Sequence, residues 1–265
     1  MIPKNGNRFS DKIMREEKFA PDFKSGRVVP SPNHNERKHA IDMIVLHYTA
    51  QTGADALARL CEAEAKVSSH YLVYEDGCID QLVPEARRGW HAGVSSWEGE
   101  RDINSRSIGI EIVNPGHDEG YPDFPEAQID AVIALCRDII ARRRVRADRV
   151  VAHSDVAPAR KQDPGEKFPW ARLAAAGVGL WIEPTPVTEG PALAPPAQGN
   201  DVAQLQKMLA RYGFGIEASG RYDTATAAVV TAFQRHFRPA RVDGIADVST
   251  RATLRRLLEA RSAGA

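Results

Sequence analysis

The run Val150-Val151-Ala152 ends in His153, and ten residues further on an irregular loop reaches Asp163, with Lys161 two residues before it. An imidazole and a carboxylate at the two ends of one loop can ligate a metal, act as a catalytic pair, or stand in solvent. His47 repeats the pattern, closing the apolar run 41–46. In open α/β sheets ligands gather at the carboxyl ends of strands, so two histidines placed there can face one another. Two imidazoles and a carboxylate with an open fourth position form a common catalytic zinc set. Asp163 suits the third place because Pro164-Gly165 fixes the chain beyond it. Spacing alone leaves the three readings open.

Glu111 lies within SIGIEIVN, where Ile108, Ile110 and Ile112 share one pleat face and Gly109, Glu111 and Val113 the other. A carboxylate in so apolar a strand is paired, is kept with a raised pKa as a general base, or faces solvent from an edge strand. Lys161 could place a cation beside a developing oxyanion, but beside Arg160 it reads equally as solvated charge. Other chemistries find no support. There is no GxSxG elbow, GxGxxG or phosphate-binding loop. Cys61, Cys78 and Cys136 are widely spaced, with no CxxC pair, and read as small buried apolar residues.

The elements that must position these groups are legible as an interleaving of strands and helices. IDMIVLHYTA (41–50) reads as a buried central strand, residues 55–66 as a helix, and SSHYLVYEDGCIDQLVP as two strands around Glu75-Asp76-Gly77. SIGIEIVN is another strand, residues 127–144 a long amphipathic helix, and Val150–Ala152 a last short strand. The fold expected is α/β, a mixed central sheet flanked by helices over 39–182, preceded by a polar extension over 1–38. Residues 183–199 hold five prolines and no period, the composition of a linker. Residues 200–262 predict three amphipathic helices in a small domain. Gly220-x-x-Asp223-x-x-Thr226 recurs there as Gly244-x-x-Asp247-x-x-Thr250, each Asp at a helix N-cap.

A chain of 265 residues with 35 basic and 35 acidic side chains has no net charge, which disfavours a nucleic-acid partner. No apolar stretch is long enough to span a membrane. The first residues are polar and lack the apolar core of a signal peptide, so a cytoplasmic location is expected.

Five blocks, IVLHYTA, SSHYLV, WHAGVSSW, DINSRSIGIEIVN and VVAHSDVAPARKQDPGEKFPW, closely resemble the zinc-dependent N-acetylmuramoyl-L-alanine amidases of the type 2 amidase family over residues 30–182. The tail from LQKMLARYGF to DGIADVSTRATLRRLL resembles the three-helix peptidoglycan-binding domain. The resemblance implies Zn(2+) held by His47, His153 and Asp163, Glu111 activating the water, and Lys161 stabilising the tetrahedral intermediate. It sets His70 near the site, and places Trp90, His91, Ala92, Gly93 and Asn104 along the muropeptide groove. His34, His39, His117 and His236 match no motif and are expected at the surface. The implied partner is peptidoglycan or a soluble anhydro-muropeptide, and the binding domain suggests the periplasm or cell envelope as the alternative location. The rival reading is a muropeptide receptor without catalysis. It is disfavoured because every ligand and catalytic position holds a competent residue type.

Overall fold

The computed structural model describes residues 19–24 and 26–263; most of the N-terminal extension, with the segment inspected for a signal peptide, lies outside them. Strands are β1 (Arg27–Val28), β2 (His34–Glu36), β3 (Met43–Tyr48), β4 (Tyr71–Val73), β5 (Ile79–Gln81), β6 (Arg87–Gly89), β7 (Ser107–Ile112) and β8 (Val150–Ala152). Helices are α1 (Gly53–Cys61), α2 (Ile103–Arg106), α3 (Glu126–Arg143), α4 (His153–Val156), α5 (Trp170–Ala175), α6 (Asn200–Tyr212), α7 (Thr224–Phe237) and α8 (Val248–Ala263). Six strands form one sheet in the order β1-β5-β4-β7-β3-β8, while β2 and β6 make a separate antiparallel pair. Within the sheet β3 runs parallel to both β7 and β8, whereas β4 and β5 are antiparallel. The sheet is therefore mixed, as the alternation of strands and helices implies.

The pleat divides the sheet into two unlike faces. Ile44, Leu46, Ile108, Ile110, Ile112 and Val150 pack against Ile129, Val132, Leu135, Cys136 and Ile139 of α3. On the opposite face Met43, Val45 and Val151 belong to one apolar cluster with Ala92, Trp97, Ile103 and Val156. That cluster continues without a break into Val202, Leu205, Leu209, Tyr212, Phe214, Val230 and Phe233 of the C-terminal segment. Trp97 is fully buried, set edge-on to Tyr212 and Phe214 with ring centres 5.7 and 5.2 Å away. The C-terminal helices thus cover the second sheet face. The proline-rich segment before them has no helix or strand from 183 to 192, and then makes single bridges from Leu193 to Ala246 and from Gln198 to Arg221.

The repeated motif does what an N-cap requires. Asp223 Oδ1 accepts from the Thr226 amide at 2.8 Å, and Asp247 Oδ1 from the Thr250 amide at 2.7 Å. A second pair of residues repeats with it. Gln206 accepts from the Gly220 amide and donates to Arg221 O and Thr226 Oγ1. Gln234 accepts from the Gly244 amide and donates to Ile245 O and Thr250 Oγ1. Both glutamines are buried, so each amide is satisfied on its donor and acceptor sides.

Three expectations are corrected here. Cys136 is buried, but Cys61 is half-buried and Cys78 exposed just past the turn at Gly77. His236 is not at the surface: it is 2% exposed, between the two domains. His117 is half-buried, stacked on Tyr121 and bonded to Tyr48 and Glu166. We expect Trp97→Ala to destabilise the whole chain by about 3–5 kcal/mol in urea unfolding, the range for deleting a buried Trp side chain. Independent unfolding of the two domains with no shift for the first would show that the shared cluster does not couple them.

Candidate functional site

Strand register makes the site. The parallel pairing of β3 with β7 sets His47 directly beside Glu111. Pairing of β3 with β8 sets Leu46 beside Ala152, so His153, one residue on, emerges next to His47. The loop after α4 then returns, and the Ser154 amide donates to Asp163 O at 3.0 Å. His47 Nδ1 and His153 Nδ1 lie 2.8 Å apart, and Asp163 Oδ2 is 3.2 Å from the first and 3.0 Å from the second. All three side chains are buried.

The hydrogen bonds around the rings assign their tautomers. Ser107 Oγ donates to Ile103 O at 2.6 Å, leaving its lone pairs for His91 Nε2–H at 3.2 Å. His91 Nδ1 is then an acceptor, receiving His47 Nε2–H at 3.1 Å. On the other side His153 Nε2–H donates to Ala92 O at 3.2 Å. His47 and His153 thus each spend their proton on the outer nitrogen and turn a lone pair inward. Burial, then the neighbouring His153, lowers His47 to about 4; burial, then His47, lowers His91 well below its usual value. Burial favours the neutral form of Asp163, but His153 and His47 outweigh it and hold the carboxyl below the ordinary range. Two imidazole nitrogens and a carboxylate oxygen therefore converge on one point, a donor set that could hold a metal ion. A four-coordinate zinc with bonds of about 2.0–2.2 Å spaces its ligands roughly 3.3 Å apart, close to the separations observed, so the donor set fits that ion.

Glu111 is on a central strand, between β4 and β3, which excludes the edge-strand alternative. Its Oε1 lies 4.0 Å from His47 Nδ1, and its Oε2 is buried without a protein partner. Burial, reinforced by the Asp163 charge, raises its pKa well above the usual carboxylate value. Lys161 lines the same cavity of about 210 Å³ with Glu111, His153, Asp163, Tyr48, Trp90 and His91.

The remaining expected site residues divide into two groups. Trp90 and His91 reach the cavity wall. Ala92 and Asn104 do not; Asn104 Oδ1 instead accepts from the His91 and Ala92 amides and shapes the loop that presents His91. Gly93 sits against Arg160, whose Nη2 donates to Ala92 O and Val94 O. His70 is fully buried away from the cavity, its Nδ1 accepting from the Gly109 amide at 2.9 Å. Burial, then the adjacent Arg37, lowers it to about 3. The Ser107–His91 connection to His47 was missed in the sequence; the signal was a serine two residues before Gly109, on the Glu111 face of the same strand.

Fold and site together define the class as an α/β domain built around two histidines and one carboxylate that could hold a metal ion. Residues 37–166 match the family described as N-acetylmuramoyl-L-alanine amidase, and residues 198–254 match one described as “Putative peptidoglycan binding domain”. The N-acetylmuramoyl-L-alanine amidase AmiD of Escherichia coli is 42% identical over 231 residues, covering 83% of each chain. The 1,6-anhydro-N-acetylmuramyl-L-alanine amidase AmpD of Enterobacter cloacae is 34% identical over 56% of this chain and 88% of its own. Among solved structures, E. coli AmiD in complex with anhydro-N-acetylmuramic acid-L-Ala-D-gamma-Glu-L-Lys superposes with a TM-score of 0.71 at 38% identity, covering 85% of this chain and 92% of that one. AmpDh3 from Pseudomonas aeruginosa also gives a TM-score of 0.71, at 32% identity, covering 92% of this chain and 100% of that one. The chain belongs to the N-acetylmuramoyl-L-alanine amidase family.

One close approach tests the ring arrangement. A Cβ on Gly109 would lie 2.4 Å from His91 Cγ, so Gly109→Ala must push His91 off His47. We expect a loss of about 1–3 kcal/mol, the range for overpacking, and a weaker grip on divalent metal in chelator competition. Wild-type values for both would show that the His91 ring is not held where described.

Proposed function

We propose that the chain hydrolyses the amide between the lactyl group of N-acetylmuramic acid, or its anhydro form, and L-alanine, using zinc held by His47, His153 and Asp163. The observation carrying this reading is the inward convergence of two imidazole lone pairs and a carboxylate beside a second, unpartnered carboxylate. Bound there, the ion supplies Lewis acidity, polarising the carbonyl and making water acidic near neutral pH. Glu111, which lines the cavity and has an Oε2 without a protein partner, takes the proton from the attacking water. Lys161 faces the carbonyl oxygen as it gains negative charge. The new C–O bond forms, the C–N bond breaks, and Glu111 returns its proton to the departing L-alanine amine. Trp90 and His91 form the wall against which the muropeptide lies.

The C-terminal segment supports peptidoglycan, polymeric or as released fragments, as the partner. No helix among the described residues is long and apolar enough to cross a membrane. We favour the cell envelope, where a binding domain meets its insoluble substrate, and activity on intact sacculi by fractionated cells tests that location.

Glu111→Gln should retain stoichiometric zinc and lower kcat about 10²–10⁴-fold, the span of general-base catalysis; wild-type turnover would remove Glu111 from the mechanism. His153→Ala should lose the metal, and an unchanged zinc content by mass spectrometry would refute the ligand set. The pH profile has a fixed sign. Because burial raises Glu111, its basic form is lost as pH falls through that raised value. The acid limb of kcat/KM should therefore lie above the ordinary Glu pKa of about 4.3, and a limb below it would contradict the assignment.

A further inference from the structure

The turn that delivers His153 is held from the other domain. Asp155, two residues beyond His153, is fully buried, and its Oδ2 accepts from the Ala152 amide at 2.8 Å. The same oxygen receives His236 Nδ1 of α7 at 2.7 Å. The His236 ring is clamped between Trp170 and Phe237, with ring centres 3.7 and 3.8 Å away and planes inclined 23° and 9°. From this turn the structure reaches both loop ligands, since His153 starts it and the Ser154 amide holds Asp163 O. The Ala157 and Lys161 amides bond to His153 O and Ala157 O, each at 3.0 Å, extending the connection to the lysine. With its Oδ1 already unpartnered, a buried Asp155 that loses His236 keeps only the Ala152 amide, which is costly, so the turn would move to bring it toward water.

We propose that His236 is a positioning residue for the metal site, and that the C-terminal domain is thereby part of the catalytic unit as well as a wall-binding module. The proposal rests on the ligand set assigned above. Its test is made on the full chain with zinc and a fluorescent chelator. His236→Phe keeps the aromatic stacking and removes only the donor; it should weaken zinc binding about tenfold, and lower kcat on a soluble anhydro-muropeptide while KM holds. His236→Asn restores a donor to Asp155 and should recover most of both. Arg261→Ala serves as the control for docking alone, because it breaks the 2.6 Å contact of α8 with Asp148 and touches neither Asp155 nor the loop from His153 to Asp163. It should lower Tm and leave zinc affinity unchanged. Zinc affinity in His236→Phe within twofold of wild type, or a loss equal to that in Arg261→Ala, overturns the proposal. Absence of stoichiometric zinc in the wild-type protein would instead overturn the ligand assignment itself, and the role of His236 with it.

Discussion

Everything at the site follows from the parallel register of one strand. β3 is gripped on both sides, by β7 and by β8, and a slip of one residue against either would turn its side chains to the opposite face. Such a slip would send His47 into the Ile108–Ile110–Ile112 layer against α3 and bring Leu46 to the cavity. The apolar alternation therefore does two jobs with one pattern. It buries Ile44 and Leu46 against the long helix, and in doing so it obliges His47, Glu111 and the residue after Ala152 to converge.

The second face of the sheet is less ordinary, because it is partly imidazole. His47, His91 and His70 stand in edge-to-face succession, with ring centres 5.1 and 5.6 Å apart. Packing of this kind is tolerable only if each ring is neutral and each nitrogen has a use. Burial keeps the rings neutral, and Ser107, the His47–His91 bond, the Gly109 amide and Arg87 O give the nitrogens their uses. The absence of a side chain at Gly109 leaves the room that His91 occupies. Rigidity at the metal-ligand set thus comes from a polar layer with almost no freedom to rearrange.

The sequence disclosed β3, β4, β5, β7 and β8, the long helix and the three C-terminal helices, because each is an apolar run or carries a period of two or of 3.6 residues; β1, β2 and β6 are two or three residues long and carry neither. It singled out His47, His153 and Glu111 because strand ends and an anomalous carboxylate are visible in a one-dimensional pattern, and Asp163 by the Pro-Gly turn that follows it. What stayed hidden was relational. His70 and His91 stand in similar polar-apolar settings, yet one is sealed beneath the strands and the other borders the cavity, a difference decided by how two loops fold back. His236 looked like one more polar residue on a helix, since nothing local shows that Asp155, 81 positions away, lies across from it. Trp97 gave no sign of joining two domains, because a proline-rich stretch reads the same whether the domains beyond it part or pack together.

The duplicated glutamines in the C-terminal domain separate what holds the fold from what the fold displays. Each glutamine clasps a glycine amide and a threonine hydroxyl, and of the chain between glutamine and glycine the last residue, Ser219 or Asp243, also bonds the clasp. That intervening chain differs in the two copies: 14 positions separate Gln206 from Gly220 and 10 separate Gln234 from Gly244. The longer one includes Gly215, Ile216 and Glu217, which face Val94 and Arg160 across the groove between the domains. Leu209, Tyr212 and Phe214 of that stretch are core residues, so the longer copy anchors itself in the shared cluster and shows the groove only the turn that follows.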